Sequence, residues 1–397
     1  MGVTFGWMVE RRQVGVVVAV GVVVRIGWAL YAARTPVGLH DPGLYQYLAD
    51  SLAHGHGYRY GDGPTAYYPI GYPAALAAAL VVLPGSATFA AVVLNLVAAA
   101  VAIAATYAFA RQWLGHRRSL AAAAVMALLP NLVFHAALTM GETVFLALLM
   151  VGLALLPRRV LLGGLFLGLA TLVRPVVLPL LVVLPFLWAD QRGRRTAIAG
   201  AAVLLLLVPW VGRNAAVMHS ATISTNTGDN LCMSRQPGAQ GGFQLSEFCS
   251  GGPANQETRP QSEVDRDADA RHKATDFVRH HPLTELSLWP RRVAASFAGD
   301  ADGLRVAESF GEDDFVPPAV RSVLSFVAGA AFFALLALAA YGAVRGGLPR
   351  PAVLFLALGL VAVVVVPSIA FFGDPRFKVP GIPFLAVLTA AVPRPSR

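Results

Sequence analysis

Residues 67–83, YYPIGYPAALAAALVVL, decide the topology of this 397-residue chain. Pro69 and Pro73 break the start of the segment, because proline lacks an amide hydrogen and clashes with the preceding turn. The remainder, 74–83, makes about 15 Å of helix at ~1.5 Å per residue, half of a hydrocarbon core of roughly 30 Å. Arginine placement gives an independent test, since cytoplasmic loops carry the excess of basic residues. If the segment does not cross, these basic clusters all fall in the cytoplasm: Arg111, Arg117 and Arg118; Arg158 and Arg159; Arg192, Arg194 and Arg195; Arg345 and Arg350; and the tail with Arg394 and Arg397. A crossing here would put every one of them outside. Residues 67–83 are therefore predicted to be re-entrant or juxtamembrane.

Composition agrees with a membrane setting. The chain is 56% hydrophobic and 13% charged, with a mean hydropathy of +0.61, far from a soluble globular profile. A net charge of +9 would suit nucleic acid only if the cations shared one solvated surface, and here they punctuate apolar runs. Lysine occurs only at Lys273 and Lys378, and the wealth of Ala, Val, Gly and Arg hints at a GC-rich bacterial genome. Glu10, Arg11 and Arg12 precede the apolar run 14–33, which places the N-terminus inside. The Tyr-Ala-Ala before Arg34 imitates a signal cleavage site, yet the run exceeds the usual ~7–15 residues of a signal peptide.

Further spans are predicted at 86–110, 120–137, 143–156, 160–173, 176–189, 196–211, 323–344, 352–372 and 379–392. The fold class is thus an all-α polytopic membrane protein with about ten crossings and both termini cytoplasmic. Its parts are an N-terminal membrane module over 1–212, carrying a first extracytoplasmic loop at 34–85; an extracytoplasmic segment over 213–321; and C-terminal membrane helices over 322–397. Cys232 and Cys249 both lie in the 213–321 segment and can form a disulfide if it is extracytoplasmic. Ser262 is placed to cap a helix running to about His280, with Val264, Ala268, Ala274, Phe277 and Val278 on or near its apolar face. A second, Pro290-kinked amphipathic stretch with Leu283, Leu286 and Trp289 follows it.

This topology gathers Asp41, Glu142, Arg174, the 213–321 segment, and Asp374 with Arg376 at the extracytoplasmic ends of the spans. An ionisable group at mid-membrane costs about 2.5–3.5 kcal/mol on insertion scales, so collecting such groups at one interface avoids most of that cost. Each has an ordinary reading. Asp41 before Pro42 is a good helix N-cap, with Leu44, Leu48 and Leu52 on one face of the helix so begun. Glu142 suits a helix N-terminus, and Arg174 and Arg376 suit interfacial anchoring. His40, His54 and His56 do not have recognisable metal-ligand spacing. The sequence shows no phosphate-binding glycine loop, nucleotide fold or haem motif, so no cofactor is required, and a divalent metal is not indicated.

The motifs DPGLY, GHGY, PTAYYPIGYP, LTMGE, LVRP, PWVGRN, STNTGDN and FFGDPRFKVPGIPF, in this order, resemble the GT-C superfamily of polytopic glycosyltransferases. The branch they are most similar to contains the protein O-mannosyltransferases and the lipid A aminoarabinose transferase. The resemblance implies a polyprenyl-phosphate-linked sugar donor and a glycan, lipid or protein acceptor. It also implies an acid in the first extracytoplasmic loop, matched by Asp41, that deprotonates the acceptor hydroxyl, with Glu142 as a second acid. Arg376, Arg174, Arg213, Lys378 and Arg59 are the implied contacts to donor phosphate and lipid. Tyr45, Tyr67, Tyr68, Asn214 and Asp374 are the implied substrate contacts. Where the aminoarabinose transferase uses a lysine to hold phosphate this chain has Tyr67 and Tyr68, so that role passes to Arg59 or Arg376. A transporter or flippase of lipid-linked substrates, which would place polar groups near the midplane in repeated halves, and an inactive scaffold are the alternatives.

Overall fold

The computed structural model describes residues 2–38, 40–188, 190–244, 248–249, 262–309 and 314–393; Arg394 and Arg397 of the expected cytoplasmic tail lie outside the described residues. The chain opens with α1 (Gly2–Ala32), whose stretch Val9–Ala32 is long and apolar enough to cross a membrane. The first loop then folds into α2 (Asp41–Ala53), an antiparallel hairpin of β1 (Arg59–Tyr60) and β2 (Gly63–Pro64), and the 12-residue α3 (Gly71–Val82). That half-length helix is what Pro69 and Pro73 predict. α4 (Ala87–Ala110), capped by Ser86 through its hydroxyl to the Phe89 amide, is a second full-length span.

The expected span over 120–137 is bent. α5 (His116–Leu128) and α6 (Pro130–Phe134) belong to segments that meet at 55°, because Pro130 has no amide hydrogen with which to continue the ladder. Arg25 makes the bend tolerable. Its guanidinium, buried beside α5, donates to the carbonyls of Met126 and Ala127 at 2.9 and 2.7 Å, acceptors of the kind a helix end leaves unpaired. An Arg25→Leu variant is expected to lose about 1–3 kcal/mol for each orphaned carbonyl, read as a lowered melting temperature in detergent.

Next come α7 (Glu142–Leu155) and α8 (Val160–Val173), apolar but short. The predicted span 176–189 is broken into 3₁₀ turns around α9 (Leu180–Val183). α10 (Arg192–Met218) regains full length with Pro209 inside it. It runs past residue 211, so Arg213 and Asn214 sit on its last turns and not in the loop beyond. The polar segment holds α11 (Thr227–Cys232), α12 (Glu263–His280), α13 (Pro282–Phe297) and α14 (Asp302–Ser309). α15 (Pro318–Arg345) is the fourth full-length span. The fifth, Arg350–Ala370, is α16 (Arg350–Leu360) continued through a π turn into α17 (Val366–Ala370). A 3₁₀ turn over Pro375–Gly381 leads into α18 (Ile382–Ala390).

The helices pack in a chain of neighbours: α1 on α4 and α5, α4 on α7, α7 on α8, α8 on α10, with α18 between α5 and α15. Their apposed faces are alanine- and leucine-rich and form one buried core. Gly71 sets α3 against the end of α8, where a Cβ would lie 2.5 Å from the Leu172 carbonyl carbon. The first loop is thereby brought beside Arg174.

The polar segment is tied down by buried charge. Arg292 grips Glu285 with two bonds of 2.7 Å, and Arg235 adds a third at 2.8 Å. Both guanidiniums also donate to the Ile369 carbonyl at the end of α17, and Arg235 to that of Ala370. Cys232 and Cys249 form the expected disulfide across a separation of 17 residues. Ser262 caps α12 as expected, accepting from the Asp265 amide at 3.2 Å. The face predicted for that helix is rotated, however: Asp267, Ala270 and Ala274 are buried and Ala268 is exposed. The inward side is set by what its carboxylates bind, described next, and not by its apolar residues.

Candidate active site

α2 begins one residue earlier than an Asp41 cap would require. His40 occupies the N-cap position, and Asp41 is the first helical residue with no capping bond from its neighbour's side chain. The Asp41 carboxylate is spent elsewhere. One oxygen accepts from the Tyr68 hydroxyl at 2.5 Å, and the other from Arg376 Nη1 at 2.9 Å. The Asp41 side chain remains 30% exposed, so it stands at an opening and not in the core.

Arg376 reaches this position because Asp374 caps the 3₁₀ turn, its carboxylate accepting the Arg376 amide at 2.8 Å. The Asp374 amide in turn donates to Ser296 Oγ of α13 at 3.2 Å. Behind Arg376 lies Glu142, the first residue of α7 and 1% exposed, 4.0 Å from Arg376 Nε. Arg174, at the end of α8, pairs with the same Glu142 oxygen at 2.7 Å. Four residues far apart in the chain thus form an alternating line: Asp41, Arg376, Glu142, Arg174. Sequence reading placed all four at one side of the membrane, and the fold brings them into contact.

Aromatic rings wall the line. Tyr45 stacks at 4.6 Å from Tyr68 and 5.1 Å from Tyr72 between ring centroids, and Tyr67 lies 5.0 Å from Tyr68. The Tyr67 hydroxyl points to Asp229 at 3.4 Å, within the STNTGDN run. Burial alone would push the Asp41 carboxyl up, but Arg376, the Tyr68 hydroxyl and Arg174 together hold it below the usual carboxylate range. Asp41 is therefore ionised at neutral pH. The stabilisation from its pairing is present above the unfolded carboxylate value and fades only as pH falls through the lower folded one. Burial and the adjacent Asp41 charge push the Tyr68 phenol well up, so it stays a donor.

Other expected contacts have different employment. Lys378, expected among the phosphate contacts, is 1% exposed, and its ammonium donates to the Pro375 carbonyl at 2.9 Å and to that of Gly299 while pairing with Asp300 at 3.1 Å. Only Phe377 separates it from Arg376, but on a tight 3₁₀ turn its stem points inward. Arg213 is likewise bonded within the protein. It donates to the carbonyls of Thr65 and Tyr58 at 2.7 and 2.8 Å and to Asn214 Oδ1 at 3.0 Å, clasping the first loop to α10. Asn214 is buried and donates to the Thr222 carbonyl at 2.8 Å. Arg59 stands exposed on the hairpin, bound to the Asp62 carbonyl, and not in the acid–arginine line.

One residue that sequence reading missed holds the loop in place. Glu263, in the first turn of α12, accepts from Thr65 Oγ1 at 2.7 Å, from the Ala66 amide at 2.9 Å and from the Thr225 hydroxyl. Asp267, one turn on, accepts the Gly228 amide at 2.5 Å. The segment that carries Tyr67 and Tyr68 is thus joined to the STNTGDN run through the Glu263 carboxylate, beside a backbone bond of 2.9 Å from the Thr225 amide to the Ala66 carbonyl. In the sequence Glu263 is one of many acids on a polar helix, and only its position in the first turn after Ser262 sets it apart. Glu263→Ala is expected to cost about 1.5–3 kcal/mol, the range for bonds to a charged group. The check is faster hydrogen exchange at the Ala66 and Thr225 amides.

A model of glycosyltransferase family 87 matches residues 66–245, a stretch that contains Tyr67, Tyr68, Glu142 and Arg174 and leaves Asp41 and Arg376 outside it. No curated protein sequence matches. Among solved structures, the oligosaccharyltransferase of Archaeoglobus fulgidus in its apo form aligns with 96% of this chain and 50% of its own, at 16% identity and a TM-score of 0.55. Archaeal AglB from the same organism, in complex with an inhibitory peptide and a dolichol-phosphate, aligns with 98% of this chain and 50% of its own, at 16% identity and a TM-score of 0.57. ArnT from Cupriavidus metallidurans, bound to undecaprenyl phosphate, covers 97% and 78% at 15% identity with a TM-score of 0.43. The chain spans half the length of the archaeal structures it matches. The likeness to the two archaeal structures is one of fold.

Proposed function

We propose that this chain is a membrane glycosyltransferase that moves a sugar from a polyprenyl-phosphate carrier to an acceptor hydroxyl, with Asp41 as general base and Arg376 as the cation for the leaving phosphate. The observation that carries the reading is the 2.9 Å pair between Asp41 and Arg376 at the more exposed end of a line of charges in which Glu142 is fully buried. A carboxylate that is ionised at neutral pH and open to a ligand suits proton abstraction. A preorganised guanidinium beside it suits charge that develops on a departing phosphate.

The step balances with these groups alone. The acceptor oxygen attacks the anomeric carbon as its proton passes to Asp41. The bond from that carbon to the phosphate oxygen breaks, and its electron pair leaves on the phosphate against Arg376, with inversion at the carbon. Arg174 and Glu142 hold Arg376 from behind, and Tyr45, Tyr67 and Tyr68 offer ring faces and hydroxyls to a sugar. Carrier and acceptor meet on the extracytoplasmic side, with both termini inside.

The pairing also sets an order. While Arg376 is bound to Asp41 the carboxylate is a weak base; a phosphate that takes over Arg376 releases it. The donor is therefore expected to bind first. The test is incubation of the purified protein with a radiolabelled polyprenyl-phosphate sugar and membrane acceptors. Label that moves to an acceptor supports transfer, and label that only changes leaflet supports a flippase. Chelation by EDTA is expected to leave transfer intact.

A further inference from the structure

A second set of charged residues lies behind the site, fully enclosed and unused by the reaction as written. Lys378, Asp300, Asp302, His135 and Asn131 are each no more than 2% exposed. Asp300 Oδ1 meets Lys378 Nζ at 3.1 Å and accepts from Asn131 Nδ2 at 3.1 Å. Asp302 accepts from the same Asn131 nitrogen at 2.7 Å and meets His135 Nε2 at 3.1 Å through its other oxygen. Asn131 Oδ1 accepts the Gly303 amide at 2.9 Å. Burying this much charge is expensive, and hydrophobic residues of similar volume often do as well or better for stability alone.

The network joins the two halves of the active site. At one end Lys378 holds the Pro375 carbonyl at 2.9 Å, the peptide group immediately before Arg376. At the other, Asn131 and His135 belong to the α6 bend whose next turn leads to Glu142. In between, Asn95 donates to the Leu138 carbonyl at 2.7 Å. Arg376 and Glu142 are far apart in the chain yet lie 4.0 Å apart, and this set of bonds ties the turn of one to the approach of the other.

We propose that Lys378 and Asp300 are positioning residues: their pair fixes the Pro375–Gly381 turn so that the Arg376 guanidinium faces Asp41 and the donor phosphate. The phosphate part of this inference rests on the proposed function; the geometric part does not. Removing the pair should leave the helices folded while Arg376 loses its orientation.

Lys378→Met alone strands a buried carboxylate, so the informative variant is Lys378→Met with Asp300→Asn. Burial pushes the Asp300 carboxyl up to about 7, with Lys378 opposing and Asp302 reinforcing the rise. The amide therefore imitates a state that Asp300 reaches near neutral pH, and the double variant is expected to fold. Two readouts follow: a density map of the double variant, and titration of wild type and variant with undecaprenyl phosphate. The expected results are an open Arg376–Asp41 contact and a Kd for the lipid raised about tenfold or more, equivalent to at least ~1.4 kcal/mol. A map in which Arg376 still meets Asp41 at hydrogen-bond distance overturns the inference, whatever the lipid does. Wild-type protein that does not bind the lipid counts against the proposed function, and the map then decides the inference by itself.

Discussion

Asp41→Asn is expected to lower sugar transfer by about 10²–10⁴-fold, the usual worth of a positioned general base, while leaving the fold intact. The single carbonyl oxygen of asparagine can still accept from Arg376 while its amide nitrogen donates to the Tyr68 hydroxyl oxygen, so both contacts can persist with the Tyr68 bond reversed. What it cannot do is take the acceptor's proton. The same substitution removes the anion that competes for Arg376, so undecaprenyl phosphate is expected to bind the variant at least as tightly as it binds wild type. Loss of turnover with retained or improved binding is a combination that an N-cap or a merely structural acid would not give. The measurements are transfer of labelled sugar at saturating donor, and lipid titration by the quenching of intrinsic tryptophan fluorescence.

Arg376→Gln is expected to lose about 10²–10³-fold in transfer, the cost of one preorganised donor to a developing oxyanion, and here lipid phosphate binding should fall as well. The two variants therefore separate the roles: Asp41 acts on the proton and Arg376 on the phosphate. Arg376→Lys is expected to recover part of the binding, since the charge returns, but little of the rate, since lysine lacks the planar fork that can face phosphate and Glu142 together. Burial works against the Arg376 charge, but Asp41, Asp374 and Glu142 outweigh it and hold the guanidinium well above its usual value. Its protonation is therefore not what limits activity across the working pH range. If Arg376→Gln binds the lipid as wild type does, the phosphate lies elsewhere.

Much of the fold was readable because it depends on length and charge. α3 has the half-length that the break at Pro69 implies, although it begins at Gly71 and takes Pro73 into its first turn, and the arginine clusters assign Asp41, Glu142, Arg174 and Arg376 to one side; the contacts among the four come from the fold. The cap at Ser262 and the Cys232–Cys249 pair were readable for similar reasons, one a local bond and the other a matter of two thiols in one polar segment. What escaped depends on where a side chain points. Arg376 and Lys378 look alike in FFGDPRFKVPGIPF, yet on a tight turn one faces the opening and the other the interior. Arg213 reads in the sequence either as a phosphate contact or as the end of a span; α10 continues seven residues past the expected boundary, and the guanidinium meets the carbonyls of Tyr58 and Thr65.

Arg25 and Glu263 show the same limit from the other side. An arginine inside the first apolar run has no partner within its own helix beyond the Gly21 carbonyl, and the carbonyls it serves belong to residues about a hundred positions away. The inward face of α12 was misread because apolar periodicity normally marks the buried side, whereas here two carboxylates face inward to bind the loops that frame the site. Polar segments that fold over an active site are held by such bonds, and periodicity does not register them.

The most direct test is a density map of the wild-type protein with undecaprenyl phosphate bound. The result expected is a phosphate oxygen within about 3 Å of the Arg376 guanidinium, with Asp41 released from that arginine and facing open space beside the phosphate. A phosphate seated away from Arg376, with the Asp41–Arg376 contact still closed at 2.9 Å, would contradict the assignment of both residues.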